Sequence, residues 1–398
     1  MTRGPGGEGP ARTPPAKVAL RGLSLGGLER FVLGLGLPPF RARQLFSWIH
    51  GQGVTSFEPM TTLSRELRGR LAEVASLAPL EVDAELAAPD GTRKLRLRCA
   101  DGAAVETVLI PEEGKLTQCL STQVGCGLGC RFCATAGMGL ARSLDAGEIV
   151  DQVYRARALL AGGAGDPTKR EEEEGEGEAA GPPRISNLVF MGMGEPLLNL
   201  EAVLEAVELL CCDLGANFSP RRITVSTAGV VPGIEELGRR NRQLGLAVSL
   251  NATTDELRGQ LMPVNKRWPL PVLMEALRAY PLPRRRRITF EYVLLAGLND
   301  TPADARRLPR LLDRIPCKVN LIPFNPGHGL GAAREPAAVL AGPLLRPDDE
   351  AVEAFAERLR DKDLPTYVRR SRGQEIAAAC GQLAAPRPPR APADADSH

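Results

Sequence analysis

Leu116-Thr-Gln-Cys119-Leu-Ser-Thr122 runs directly into Gln123-Val-Gly-Cys126-Gly-Leu-Gly-Cys130-Arg-Phe-Cys133. The first run is β-rich and the second is a glycine-rich loop, so a strand empties into a loop that carries three thiols. The gaps between those thiols are three and two residues. Gly127 and Gly129 let the backbone wrap closely around a bulky ligand. Thiolates are soft donors suited to iron–sulfur or zinc. A closed zinc site or an ordinary electron-transfer cluster takes four protein ligands. Three leave one metal position open for a substrate or cofactor.

Outward from this loop the chain keeps one rhythm. β-Rich runs lie at 116–122, 185–192, 223–227, 246–250, 288–295 and 319–323. Helical patterns separate them. Asp145 with Glu148 signals a capping box ahead of the stripe Ile149, Val153, Ala156 and Leu160. Leu200, Val203, Leu204 and Val207 form a second stripe, and 234–244 and 269–280 supply two more. Thr301-Pro302 opens a fifth helix with Asp304 at the box position, and Pro309 predicts a kink. Strands alternating with helices argue for parallel βα units, in either a doubly wound sheet or a partial barrel.

Upstream, 20–78 reads as helices: Leu28, Phe31 and Val32 share a face, Phe40, Leu45 and Ile49 follow Pro38-Pro39, and Ser64 caps a helix with Leu67, Leu71 and Val74. Residues 94–98 and 105–110 alternate around Asp101-Gly102 as a hairpin. The expected domains are a helical accessory domain at 18–90, a β-hairpin extension at 91–115 and a core at 116–383. Residues 1–17 and 384–398 read as disordered tails. The segment 162–183, with Glu171–Glu174, reads as a solvated acidic loop, and 328–345 as a flexible insertion.

The chain has 398 residues and a net charge of +2, so any nucleic-acid surface is a local patch rather than a bulk property. No run of eighteen apolar residues is present to span a membrane, and no apolar leader opens the chain. Nine cysteines in a chain this long do not read as a secreted disulfide scaffold. Four of them fall within Cys119 to Cys133, and in a cytosolic enzyme that clustering suggests metal or redox chemistry.

In parallel α/β folds ligands bind at the carboxyl ends of strands. The unusual polar residues fall there: Met191-Gly-Met-Gly194-Glu195-Pro196, Ser226-Thr-Ala-Gly229, Ser249-Leu250-Asn251-Ala252 and Phe324-Asn325-Pro326. A Gly–Glu pair offers close backbone approach and a carboxylate for an ammonium group.

The Cys-x3-Cys-x-Phe-Cys motif resembles the radical SAM signature, in which three cysteines hold a [4Fe–4S] cluster and S-adenosylmethionine chelates the open iron. Further segments extend the likeness: V-E-T-V-L-I-P (105–111), C-L-S-T-Q-V-G-C (119–126), F-M-G-M-G-E-P-L-L-N (190–199), S-T-A-G-V-V-P (226–232), N-L-I-P-F-N-P (320–326), R-G-Q-E-I-A-A-A-C-G-Q-L (372–383) and F-R-A-R-Q-L-F-S-W-I-H (40–50). Over roughly 20–383 the chain resembles the radical SAM dual-specificity 23S rRNA/tRNA adenine-C2 methyltransferase family. The resemblance implies a partial (β/α)6 radical SAM barrel with a small N-terminal helical domain and a β-hairpin extension.

It also implies roles. Cys126, Cys130 and Cys133 hold the cluster. Gly194, Glu195, Ser226, Ser249, Leu250, Asn251 and Asn325 line the cofactor site. Cys380 carries the methyl group, Cys119 resolves the product through a transient disulfide with Cys380, and Glu106 is the proton acceptor. Carbon 2 of adenine is not nucleophilic, so one S-adenosylmethionine first methylates Cys380. A second supplies the radical that activates this methyl for addition to the base. The implied partners are 23S rRNA, tRNA and an electron donor, in the cytoplasm, with no membrane and no oligomer signal. Many members carry His where this chain has Asn251, which still offers a donor and an acceptor.

Two other readings stay open: a relative that methylates carbon 8 of adenine, and a Cys-rich metal module that binds RNA without catalysis. Arg369, Arg370 and Arg372 lead into Cys380 and suit phosphate or a thiolate. Arg284–Arg287 is the densest basic run and a candidate RNA contact. Cys99, Cys211, Cys212 and Cys317 read as structural.

Overall fold

The computed structural model describes residues 17–162, 184–241, 243–326, 343–369 and 372–384. The expected tails, acidic loop and insertion lie outside these residues except at their edges.

Ten strands form one sheet: β1 (Glu81–Ala87), β2 (Arg93–Arg98), β3 (Ala104–Glu112), β4 (Lys115–Cys119), β5 (Asn187–Phe190), β6 (Ile223–Thr227), β7 (Gly245–Ser249), β8 (Ile288–Leu294), β9 (Cys317–Pro323) and β10 (Thr366–Val368). Their order in space is their order in sequence. From β4 to β10 every pair is parallel, and β1 to β4 are antiparallel.

That order decides between the two architectures left open by the sequence. Parallel crossovers are right-handed. When each new strand adds on the same side, every crossover helix falls on one face and the other face becomes a barrel interior. A doubly wound sheet reverses its order at a switch point, and no reversal occurs among the described strands. The barrel is partial because β4 is flanked by β3 rather than by β10.

Side-chain alternation follows. In β8, Phe290 and Tyr292 are fully buried beneath the helices, and Tyr292 stacks on Phe355 with ring centroids 5.9 Å apart. Glu291 and Val293 point the other way and line an interior cavity. Val153, Val203, Leu237, Leu273, Leu308 and Phe355, one from each of six outer helices, are completely buried.

The local signals behave as their chemistry requires. Asp145 and Glu148 make both bonds of the capping box. Ser64 Oγ accepts from Leu67 N–H at 3.2 Å, and Thr301 Oγ1 from Asp304 N–H at 3.2 Å. Pro309 sits in the last turn of the helix Pro302–Leu311, which then stops. The expected hairpin is present and is extended by the outer strand β1. Elements beyond the expected pattern include β1, the seventh parallel strand β10, and the helix Asp349–Arg360 between β9 and β10.

The N-terminal region, with helices Leu25–Gly34, Phe40–Phe46 and Arg65–Val74, meets the first crossover helix, Ala146–Leu160, through residues that flank those helices. Arg21 Nη1 lies 2.8 Å from Asp151 Oδ1. Its Nη2 donates to the carbonyls of Val54 and Leu77. Leu80 N–H donates to the other Asp151 oxygen at 2.5 Å, and His50 Nδ1 meets Tyr154 Oη at 2.8 Å. Gly22 faces Gly147 so closely that a Cβ on Gly147 would stand 2.9 Å from Gly22 N. Two glycines therefore set the seam between the domains.

Candidate active site

The carboxyl ends of the parallel strands open into a cavity of about 140 Å³. Cys126, Cys130 and Cys133 form one wall of it. Gly194, Glu195, Ser226, Ser249, Asn251 and Asn325 come from strand ends around the rim, and Cys380 closes it. A smaller cavity of about 40 Å³ adjoins it, lined by Cys119, Cys380, Arg369, Arg372, Ile110 and Leu383 among others. Cys380 lies on the wall that the two share, together with Met191, Ile322 and Asn325.

The cysteine loop is shaped by close backbone contacts. Cys126 N–H donates to Gly139 O at 2.9 Å, fixing the loop against the short ribbon Gln123–Gly125 and Leu140–Ser143. Ala134 N–H donates to Gly381 O at 2.7 Å, so the loop also holds the segment that carries Cys380. Burial pushes the Cys126 thiol up to about 11 and raises Cys130 further, with neighbouring thiols adding to both. Buried thiolates of this kind need cationic partners, which metal ions supply. No set of three or more His, Cys, Asp or Glu among the described residues converges on a point suited to a single metal ion. Cys126, Cys130 and Cys133 line one cavity and supply the soft donors, one per iron, that a polynuclear cluster takes. The donor set and the loop suit a [4Fe–4S] centre.

Gly194 has φ +99°, and a Cβ there would stand 2.5 Å from Gln123 Cβ. The turn is therefore closed to larger residues, and it brings Glu195 N–H within 2.9 Å of Gln123 Oε1. Glu195 is buried and accepts from Leu197 N–H at 3.1 Å and Ala228 N–H at 2.8 Å. Burial pushes its carboxyl up to about 7 against those hydrogen bonds. A cationic ligand in the cavity would restore its charge, as the ammonium of an amino acid does.

Asn251 takes a left-handed backbone, φ 57°, which Asn tolerates better than most residues. Its Oδ1 accepts from Val293 N–H at 2.8 Å, while Nδ2 faces Met262 Sδ at 3.3 Å. One acceptor site is thus already engaged, and the amide presents mainly its donor side. Asn325 Oδ1 accepts from Gln374 Nε2 at 2.8 Å, which ties the rim to the Cys380 segment. Leu250 is the exception in the expected set: it is completely buried, lines neither cavity, and its N–H donates to Glu291 O.

Cys119 and Cys380 are brought together, both as free thiols. Burial pushes Cys119 up to about 12 and raises Cys380, with Arg369 opposing both shifts. Arg369 is held by Glu291, 3.8 Å away. Glu106 is placed differently. It lies on β3, buried, and lines neither cavity. Its Oε1 is 3.2 Å from Lys94 Nζ, and its Oε2 accepts from Ala384 N–H at 2.9 Å. Lys94 Nζ also donates to Ala377 O at 3.2 Å. The pair thus braces the Cys380 segment on both sides. Burial raises the Glu106 carboxyl, and Lys94 opposes this.

Two site residues carry no motif of their own, Glu291 and Arg258, and Gln123 was given no role although it stands within C-L-S-T-Q-V-G-C. Alternation along β8 was the one signal that could have found Glu291. Arg258 is completely buried and donates to three carbonyls at the strand ends and to Asn265 Oδ1. Arg284–Arg287 stands at the amino end of β8, the opposite end of the barrel from the cavities. Cys99 and Cys317 are buried, and Cys211 and Cys212 half-buried, all away from both cavities.

Comparison with known proteins agrees with this geometry. Residues 18–77 match the ribosomal RNA large subunit methyltransferase N-terminal domain, and residues 120–308 match the radical SAM superfamily. A dual-specificity RNA methyltransferase RlmN from Anaeromyxobacter dehalogenans is 50% identical over 366 residues, covering 92% of this chain and 91% of that protein. The protein of that name from Geobacter sulfurreducens is 47% identical over 366 residues, with 92% of each chain covered. The crystal structure of a radical SAM methyltransferase from Sphaerobacter thermophilus aligns with a TM-score of 0.80 at 43% identity, covering 92% of this chain and 99% of that one. With both domain models matched and 50% identity over 92% of its length to such an enzyme, the chain belongs to the RlmN family of radical SAM RNA methyltransferases.

Proposed function

We propose that the protein methylates carbon 2 of adenine in 23S rRNA and in tRNA, through an S-methylcysteine at Cys380. One observation carries this reading: Cys380 stands on the wall between the cavity of the three cysteines and the cavity of Cys119. A single sulfur can therefore face a methyl donor on one side and a resolving thiol on the other.

When bound, the cluster and S-adenosylmethionine supply a methyl group and a 5′-deoxyadenosyl radical. Cys126, Cys130 and Cys133 hold the cluster, which an external electron donor must reduce. Glu195 and the Gly194 turn take the amino-acid end of S-adenosylmethionine. Ser226, Ser249, Asn251 and Asn325 orient the rest, with Leu250 contributing backbone only.

Cys380 carries the methyl, which would give one hydrogen atom to the 5′-deoxyadenosyl radical and bond through the resulting carbon to C2 of the base; the adduct would then return one electron to the cluster as it loses the C2 proton. The family resemblance gives the C2 proton to Glu106, whose carboxylate lines neither cavity and would have to be uncovered by movement of the Cys380 segment that it braces, with Lys94 beside it to balance the charge. Cys119 then attacks the Cys380 sulfur. An S–S bond forms and the C–S bond breaks. Its electron pair stays on the carbon, which takes a proton and becomes the new methyl group. Arg369 stabilises whichever sulfur is anionic. Removing ordered water from this closed space also protects the radical stage.

No helix among the described residues is long and apolar enough to cross a membrane, and the work site of such an enzyme is the cytoplasm, where its RNA lies. The target base must leave its stack to reach a buried sulfur. The test is anaerobic reconstitution with a 23S rRNA fragment and, separately, tRNA, followed by nucleoside mass spectrometry. 2-Methyladenosine in both supports the reading. 8-Methyladenosine, or no methylated base while S-adenosylmethionine is cleaved, overturns it.

A further inference from the structure

We propose that Arg258 is the buried counter-charge of the cluster held by Cys126, Cys130 and Cys133, and that it raises the cluster's reduction potential. The inference rests on the assignment of those three cysteines as cluster ligands.

Arg258 lies on the short helix Asp255–Leu261 and is completely buried. Its Nε donates to Leu250 O at 3.0 Å. Nη1 donates to Asn265 Oδ1 at 2.9 Å, and Nη2 to Ala228 O at 2.7 Å and Ser249 O at 3.2 Å. Every one of these acceptors is neutral. The carboxylate of Asp255, one turn earlier, is committed to Asn265 Nδ2 at 2.8 Å and Leu270 N–H at 2.7 Å. A buried cation without a carboxylate partner carries a penalty of several kcal/mol. Hydrogen-bonding the strand ends does not by itself require that charge, because neutral amides also donate to carbonyls.

The position of the cation supplies the reason. Ala228 and Ser249 line the same cavity as Cys130. Arg131 N–H, beside Cys130, donates to Leu261 O at 3.0 Å, so the cysteine loop packs on the end of the Arg258 helix. The guanidinium thus stands behind the cavity wall on the cysteine side. Burial lowers it from its ordinary value, but a guanidinium is not deprotonated in proteins, so it remains cationic at neutral pH.

A cluster on three thiolates becomes more negative when it gains an electron. A fixed cation in a low-dielectric wall favours that reduced state, and net charge near the cluster sets its potential. Because Arg258 also grips the strand ends that carry Ala228, Ser249 and Leu250, it fixes the cation relative to the cofactor rim.

The test is an anaerobic dithionite titration of the reconstituted holoprotein, followed by electron paramagnetic resonance of the reduced cluster. Iron, sulfide and far-ultraviolet circular dichroism are measured on the same samples. In Arg258→Met the reduced-to-oxidised ratio at a fixed potential should fall at least tenfold, a shift of about 59 mV to the negative for a one-electron couple. Arg258→Lys, which keeps the charge, should stay near wild type. Arg258→Gln, which keeps a side-chain donor for the strand-end carbonyls but removes the charge, should shift the potential as Arg258→Met does, and it decides the matter if Arg258→Met does not fold. Wild type without iron and sulfide would overturn the cluster assignment itself. Intact clusters with one common potential in wild type, Arg258→Met and Arg258→Gln would leave that assignment standing and overturn the counter-charge.

Discussion

Replacing Asp151 with Ala should undock the N-terminal helices from the barrel. The side chains of Arg21 and Asp151 are 5% and 1% exposed, at 2.8 Å. Removing one member of a buried ion pair leaves the other uncompensated, at about 3–5 kcal/mol. Arg155 Nε, 3.6 Å from Asp151 Oδ2, becomes a second stranded cation. Leu80 N–H also loses its acceptor, a further cost of about 1–3 kcal/mol that overlaps the first because the groups share one carboxylate. The expected loss is about 4 kcal/mol. Urea unfolding followed by Trp48 fluorescence in a Trp268→Phe background reads it, since Trp48 lies in the helical domain and is 9% exposed. Replacing both partners with apolar residues, Arg21→Met with Asp151→Leu, should recover most of the loss, because two charges no longer need desolvation. A loss below about 1 kcal/mol in Asp151→Ala would refute the claim that this buried pair holds the seam.

Three further predictions concern charge. Burial pushes His50 down to about 3 from 6.5. The unfolded chain therefore takes up a proton that the folded chain refuses, and stability should fall as pH drops below 6.5, by about 1.4 kcal/mol per unit. Urea unfolding between pH 7 and 5 checks this, and His50→Gln should remove that part of the slope. Glu195→Gln should weaken S-adenosylmethionine binding by about 1.5–3 kcal/mol, the worth of a hydrogen bond to a charged group. Equilibrium dialysis with the reconstituted protein measures it. Glu106→Gln should leave Cys380 S-methylation intact while RNA turnover falls by about 10²–10⁴-fold, the usual contribution of a general base. Peptide mass spectrometry and single-turnover kinetics separate the two steps. Equal loss of both would make Glu106 a brace for the Cys380 segment only.

Much of the barrel was legible because its signals are local. The cap at Asp145 and the alternation in β8 need no distant partner. β10 was not legible, since the three residues Thr366–Val368 are too few to establish a period. β1 was missed for another reason: nearly all of Glu81–Ala87 is exposed, so it lacks the buried side that marks a half-buried strand. Barrel or open sheet was undecidable because that choice lies in strand order, which periodicity does not encode. At the site, the glycine turns and thiols announced themselves by composition. Arg258 did not, because an arginine on a short helix reads as solvated until its acceptors are seen. The burial of Glu106 depends on Lys94 and Ala384, which are distant from it in sequence or outside its strand.

The central claim is that one sulfur, Cys380, serves both cavities and Cys119 releases it. The most direct measurement incubates reconstituted wild type, Cys380→Ala and Cys119→Ala with S-adenosylmethionine and RNA, and resolves both nucleosides and protein–RNA conjugates. The account predicts 2-methyladenosine with wild type, no product and no conjugate with Cys380→Ala, and a covalent conjugate through residue 380 with Cys119→Ala. Undiminished 2-methyladenosine from either variant, or Cys119→Ala without the conjugate, would contradict it.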